Sequence, residues 1–131
     1  MGLREVLPLV DGGAESPQES AESPQESRTR LALLDAGFPP PRTQIPVFGE
    51  FGFFVARLDM GWEGFLVGVE FDGAQHWTDP TQRTRDIDRW AGLDACRWTI
   101  IHANSDLLRY RLGTLIARVG AALRAAGWTP S

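Results

Sequence analysis

Asp59, Glu70 and Asp72 fall within one short stretch, residues 55–76, VARLDMGWEGFLVGVEFDGAQH, with His76 at its end. Carboxylates that converge on one point repel one another unless a cation sits between them. The chemistry such a group serves is coordination of a hard divalent ion, and magnesium suits it because it takes one or two carboxylates and keeps several waters. An imidazole beside the ion can hold or accept a proton near neutral pH. The competing reading is a solvated polar face on which Arg57 pairs with Glu70 across two strands, the commoner fate of exposed charge.

Convergence depends on the elements that carry the acids. With Glu63-Gly64 as a two-residue hairpin turn, Trp62 pairs with Phe65, Met60 with Val67, Leu58 with Val69 and Ala56 with Phe71, which makes one apolar face. Arg57, Asp59, Gly61, Leu66, Gly68, Glu70 and Asp72 take the other face. A slip of one residue mixes the two sets, so the alternation selects this register. Asp59 then lies opposite Gly68 and diagonal to Glu70, roughly 7–8 Å away at the backbone and within reach of a shared ion.

The flanking elements follow from caps and breakers. AESPQES occurs at 14–20 and again at 21–27, and each copy holds an N-cap serine, a first-turn proline and a capping-box glutamate. Pro24 inside a helix begun at Ser16 costs about 3 kcal/mol, so the helix is predicted to start at Ser23 and to run to about Ala36. This divides the chain into a solvated extension, residues 1–22, and a folded domain, residues 23–127. Leu31 and Leu34 are expected to face inward, with Gly37 as the stop. Glu26 is either a capping residue or a carboxylate aimed at the acidic face.

After the stiff connector Pro39-Pro40-Pro41, strands are predicted over 44–48, 53–62 and 65–72. Asp79-Pro80 opens a second helix over 80–94, with Ile87, Trp90 and Leu93 inward and Arg83, Arg85, Asp86, Asp88 and Arg89 mostly outward. Residues 97–102, RWTIIH, read as a strand. Asn104 or Ser105 caps a final helix to about Ala126, with Leu108, Leu112, Leu115, Ile116, Val119 and Leu123 inward. The order α-β-β-β-α-β-α predicts an α/β fold with a mixed four-stranded sheet flanked by helices, its last strand a parallel crossover.

Length and composition set the remaining bounds. A chain of 131 residues with 43% hydrophobic residues has a single-domain length and can bury a core. No run approaches the roughly 18 apolar residues of a membrane span, and Arg4, Glu5 and Asp11 stand where a signal peptide needs an apolar stretch, so a cytoplasmic protein is expected. Cys96 is alone and reads as a packing residue. All 13 basic residues are Arg, which removes lysine from any mechanism. The net charge of −4 disfavours indiscriminate nucleic-acid binding, yet residues 81–131 carry 8 Arg against 4 acids while residues 1–80 carry 5 Arg against 13. The C-terminal half therefore offers a phosphate-facing surface.

An acid at a helix start, then Asp, ten intervening residues and Glu-x-Asp-Gly-x-x-His before a helix-strand-helix tail resembles the PD-(D/E)xK nuclease superfamily. More closely, it is similar to an uncharacterised bacterial domain family related to very-short-patch-repair endonucleases. The residues that carry the resemblance are Glu26, Asp59, Glu70, Asp72, Gly73 and His76, then Asp86 and Arg89 in RDIDRW. It spans about residues 14–126, and GAESPQES and DPTQRTRDIDRW look like the actinobacterial branch. It implies a restriction-endonuclease-like core in which Asp59 and Glu70 hold Mg²⁺ or Mn²⁺, with Glu26 reaching the ion through water. His76 would orient or deprotonate the attacking water, and Arg83, Arg85 and Arg89 would face DNA. The superfamily's usual third-position Lys is Asp72 here, as in the related family, so Asp72 would act as a further ligand or base. The alternative is a catalytically inactive module of the same fold that binds nucleic acid or a protein partner.

Overall fold

Ser23 is where the polypeptide commits to its first helix. In the computed structural model, which describes residues 23–71 and 79–130, α1 covers Pro24–Asp35. Ser23 Oγ accepts from the Glu26 N–H at 3.1 Å, and Glu26 Oε1 accepts from the Ser23 N–H at 3.0 Å. Two of the N–H groups that a helix start leaves orphaned are thereby satisfied. Gly37, at φ 91°, ends the helix. The inward face differs from the expected one. Leu31 is 56% exposed and Leu34 half-buried, while Thr29 and Leu33, one turn apart, are fully buried. Thr29 tolerates burial because its hydroxyl donates to the Gln25 carbonyl at 2.8 Å.

Four strands follow: β1 Arg42–Phe48, β2 Phe54–Trp62, β3 Val67–Phe71 and β4 Thr99–Ala103. They form one mixed sheet in the order β1-β2-β3-β4, antiparallel between the first three and parallel between β3 and β4. Helix α2, Pro80–Ala95, lies between β3 and β4 in the chain, as a parallel connection requires. Asp79 caps it by accepting from the N–H groups of Thr81 and Gln82. Two helices close the fold, α3 Ser105–Tyr110 and α4 Leu112–Ala125. The single final helix expected from the leucine stripe is broken at Arg111, where φ is −137° and ψ 39°. The break lets the adjacent Leu107 and Leu108 both be buried, while α4 presents its own row of Leu115, Val119 and Leu123 and leaves Leu112 at 38% exposed.

The sheet has a core on each face. Leu33, Met60, Trp62, Val67, Val69, Leu115 and Val119 pack with α1, α3 and α4 on one side. Ile45, Val47, Ala56, Leu58, Leu93 and Trp98 form the other, against α2. Leu58 and Met60 alternate with Asp59 and were expected on one face, yet they belong to different cores. The strand turns over at Asp59. Pairing to β1 is interrupted there as well, since Thr43 partners Met60 and Ile45 partners Leu58, while the intervening Gln44 has φ 53°.

The β2–β3 register also departs from expectation, by two residues. Met60 pairs with Val69, Gly61 with Gly68 and Trp62 with Val67, so the connection is the four-residue loop 63–66. A two-residue turn of type I′ or II′ needs positive φ at its first central position, which Glu63 resists. The longer loop places the single positive φ, 56°, on Leu66, and Phe65 packs against the core.

Gly61 and Gly68 meet face to face. A Cβ built on Gly61 would lie 2.5 Å from the Val67 oxygen and 2.9 Å from Gly68 Cα, both backbone atoms that cannot step aside, whereas one on Gly64 meets nothing within 4 Å. Gly61→Ala is expected to lower unfolding stability by about 1–3 kcal/mol, and Gly64→Ala by less than about 0.5 kcal/mol, as read from urea denaturation of the two variants.

Candidate functional site

In the observed register the next rung after Met60–Val69 is Asp59 opposite Glu70, and at that rung the ladder opens. β2 stays paired with β1 through Leu58 and Arg57, and β3 stays paired with β4 through Glu70 and Phe71. Between β2 and β3 the two acids take over. The Asp59 N–H donates to Glu70 Oε2 at 2.9 Å, and the Phe71 N–H donates to Asp59 Oδ2 at 2.9 Å. Each carboxylate thus satisfies a main-chain donor of the opposite strand that the parted ladder would leave bare. The two acids are side by side, closer in register than the diagonal placement expected from the shorter turn.

Helix α2 faces this fork with a polar stripe. Gln82, Asp86 and Arg89 fall on one side of the helix, and Leu93 continues the row into the core. The Gln82 side-chain amide donates to Asp86 Oδ1 at 3.1 Å. Arg89 Nη2 forms an ion pair with Glu70 Oε1 and donates to the Arg57 carbonyl at 3.0 Å. Asp59, Glu70, Phe71, Gln82, Asp86, Arg89 and Trp90 line a cavity of about 220 Å³. The Trp90 ring stands edge-on to His102, centroids 5.2 Å apart, and His102 is the β4 partner of Glu70.

Burial and the neighbouring Asp59 charge push the Glu70 carboxyl up from 4.5 to about 7, although Arg89 and the Asp59 N–H pull the other way. One arginine does not offset two adjacent anions, one of them nearly out of water. The donor set fits a hard divalent ion. Asp59 and Glu70 offer oxygens alone, and their mutual repulsion is what such an ion relieves. Among the described residues no three His, Cys, Asp or Glu side chains gather as a metal-binding group, so these residues offer two carboxylates here.

The sequence-derived candidates divide accordingly. Asp59 and Glu70 come together. Glu26 spends a carboxylate oxygen on its own helix cap, and α1 packs through Leu33 into the core on the far side of the sheet, so it does not line the cavity. Asp72 and His76 lie outside the described residues. Arg83 and Arg85 are exposed on α2, whereas Arg89, expected outward, turns in to Glu70. Ile87 and Trp90, expected inward, are 54% and 38% exposed. Arg57, the expected cross-strand partner of Glu70, is exposed and offers only its carbonyl. Gln82 was not foreseen as a site residue, although its place in the 82-86-89-93 row with Leu93 was a usable signal.

The chain is 35% identical over 119 residues to two proteins of Mycobacterium tuberculosis, the uncharacterized protein MT2308 of strain CDC 1551 / Oshkosh and the uncharacterized protein Rv2248 of strain H37Rv. The match covers 91% of this chain but spans only 41% of the length of each relative. No protein-family profile matches the chain, and no solved structure matches it. Among the described residues no helix is long and apolar enough to cross a membrane.

The raised Glu70 pKa has a defined effect on stability. The folded protein keeps the Glu70 proton between pH 4.5 and about 7 while the unfolded chain has released it. This stabilisation is full below about pH 4.5 and is lost as pH rises to about 7, a change on the order of 3 kcal/mol. Urea titrations across that range should show the stability of wild type, relative to Glu70→Gln, declining with pH and levelling above about 7.

Proposed function

We propose that this domain is a magnesium-dependent, DNA endonuclease-like hydrolase of phosphodiester bonds. The observation that supports it is the side-by-side placement of Asp59 and Glu70 in an opening of the sheet, each pinned to the other strand's backbone, beside a cavity. Pinning matters because metal ligands must be held in place before the ion arrives. Asp59 Oδ2 and Glu70 Oε2 are spent on main-chain N–H groups, which leaves Asp59 Oδ1 and Glu70 Oε1 to hold the ion. The chemistry that a divalent ion held by these carboxylates would supply is polarisation of the phosphodiester and activation of water as the nucleophile.

The chain's own groups supply the rest. Arg89 stands at the acids and can neutralise charge on the phosphate, the role a lysine fills where one is present. His76, five residues past the end of β3, orients or deprotonates the attacking water, and Asp72 adds a carboxylate next to Phe71. Arg83 and Arg85, exposed along α2, contact flanking phosphates of DNA without reading its sequence.

One observation favours a second reading, a non-catalytic module of the same fold that binds nucleic acid or a protein partner. Arg89 already sits on Glu70 where a cation would. Calorimetric titration with Mg²⁺ and Mn²⁺, alongside cleavage assays on single-stranded, duplex and mismatched DNA, separates the two. The hydrolase reading expects metal binding that Asp59→Asn abolishes and cleavage that falls roughly 10²–10³-fold in the variant, the scale of losing one electrostatic stabiliser of a transition state. Equal metal affinity in wild type and Asp59→Asn refutes it. DNA binding without metal binding, weakening steeply as salt rises, supports the module instead.

A further inference from the structure

Arg89 is bound more tightly into the acid pair than a phosphate-facing arginine needs to be. Glu70 Oε2 is committed to the Asp59 N–H, so Oε1 is the Glu70 oxygen left for any cation, and Arg89 Nη2 occupies it. The second hydrogen of that same Nη2 goes to the Arg57 carbonyl at 3.0 Å, on β2 two residues before Asp59. The guanidinium therefore bridges the mouth of the fork, one hydrogen on each of the parted strands. Its side chain is only 26% exposed, so it is held there by packing as well as by charge.

We infer that Arg89 is a tethered counter-cation that competes with the divalent ion for Glu70 Oε1 and must leave that oxygen when the ion loads. This rests on the hydrolase reading, since it needs a metal at the acids. Two cations on one carboxylate oxygen repel strongly in a site with little water to screen them. Without the ion the guanidinium offsets one of the two carboxylate charges, and loading releases it toward the cavity, where an incoming phosphate is its next anion. Arg89 is thus a positioning residue whose contact changes with metal occupancy.

The test measures Mn²⁺ and Mg²⁺ affinity by calorimetry at pH 8.5 for wild type, Arg89→Gln, Arg89→Lys and Asp59→Asn, with circular dichroism confirming folding. Arg89→Gln keeps a polar side chain but removes the charge, and it should bind Mn²⁺ roughly tenfold or more tightly than wild type. Arg89→Lys retains the charge and should stay near wild type. A second measurement needs no variant: phenylglyoxal labelling of the wild-type protein, followed by mass spectrometry, should show Arg89 more reactive with Mn²⁺ than without. Unchanged or weaker affinity in Arg89→Gln, or Arg89 labelling indifferent to metal, overturns the inference while leaving the hydrolase reading in place, provided wild type still binds metal and Asp59→Asn does not. Absence of metal binding in wild type and Arg89→Gln alike overturns both.

Discussion

The structure depends on the exchange between Asp59 and Glu70, each carboxylate accepting a main-chain N–H from the other's strand. A sheet that opens between two central strands exposes donors that have lost their carbonyls, and a buried bare N–H costs about as much as a lost hydrogen bond. Here two acids close the gap. They are therefore structural and chemical at once. Replacing either with an apolar residue would remove a candidate ligand and also strand a backbone donor, so damage to fold and to site would arrive together. The arrangement further explains why Asp59 sits where β2 turns over, with Leu58 in one core and Met60 in the other.

The acid pair in turn dictates what α2 can be. A helix packed on two carboxylates cannot present leucines along its whole length, and it changes character part-way: Gln82, Asp86 and Arg89 toward the fork, then Leu93 in the core. Arg89 spans both strands of the opening through one nitrogen. Arginine suits this better than lysine, because its planar fork of donors reaches two acceptors in fixed geometry.

Local rules were the most legible part of the sequence. The Ser23–Glu26 box and the Asp79 cap with its following proline stand as read, and of Asn104 and Ser105, both left open, Asn104 is the cap, though of a helix that ends at Tyr110; capping is decided within four residues. The order of elements and the parallel last strand followed from them. The register of β2 on β3 did not. Alternation has a period of two, so a two-residue slip leaves every residue on its own face and is invisible to the pattern. Asp59 and Glu70 were correctly brought to one place but two residues out of register. The inward face of α2 was misread for a different reason: counting Ile87 and Trp90 presumes an apolar surface opposite, and a helix cannot announce that it packs on charge. Thr29 is buried where Leu31 was expected because its hydroxyl is satisfied within its own helix.

The loop between β2 and β3 acts as a gauge. Its four residues, Glu63 to Leu66, decide which position of β2 stands beside Glu70. Adding or removing one residue would turn one strand's faces over and send an acid into the apolar side. A change of two would preserve both faces yet bring Arg57 or Gly61 abreast of Glu70 in place of Asp59. Insertions that most surface turns absorb without consequence would here dismantle the acid pair, which leaves this turn far less room to drift in length than its exposed position implies.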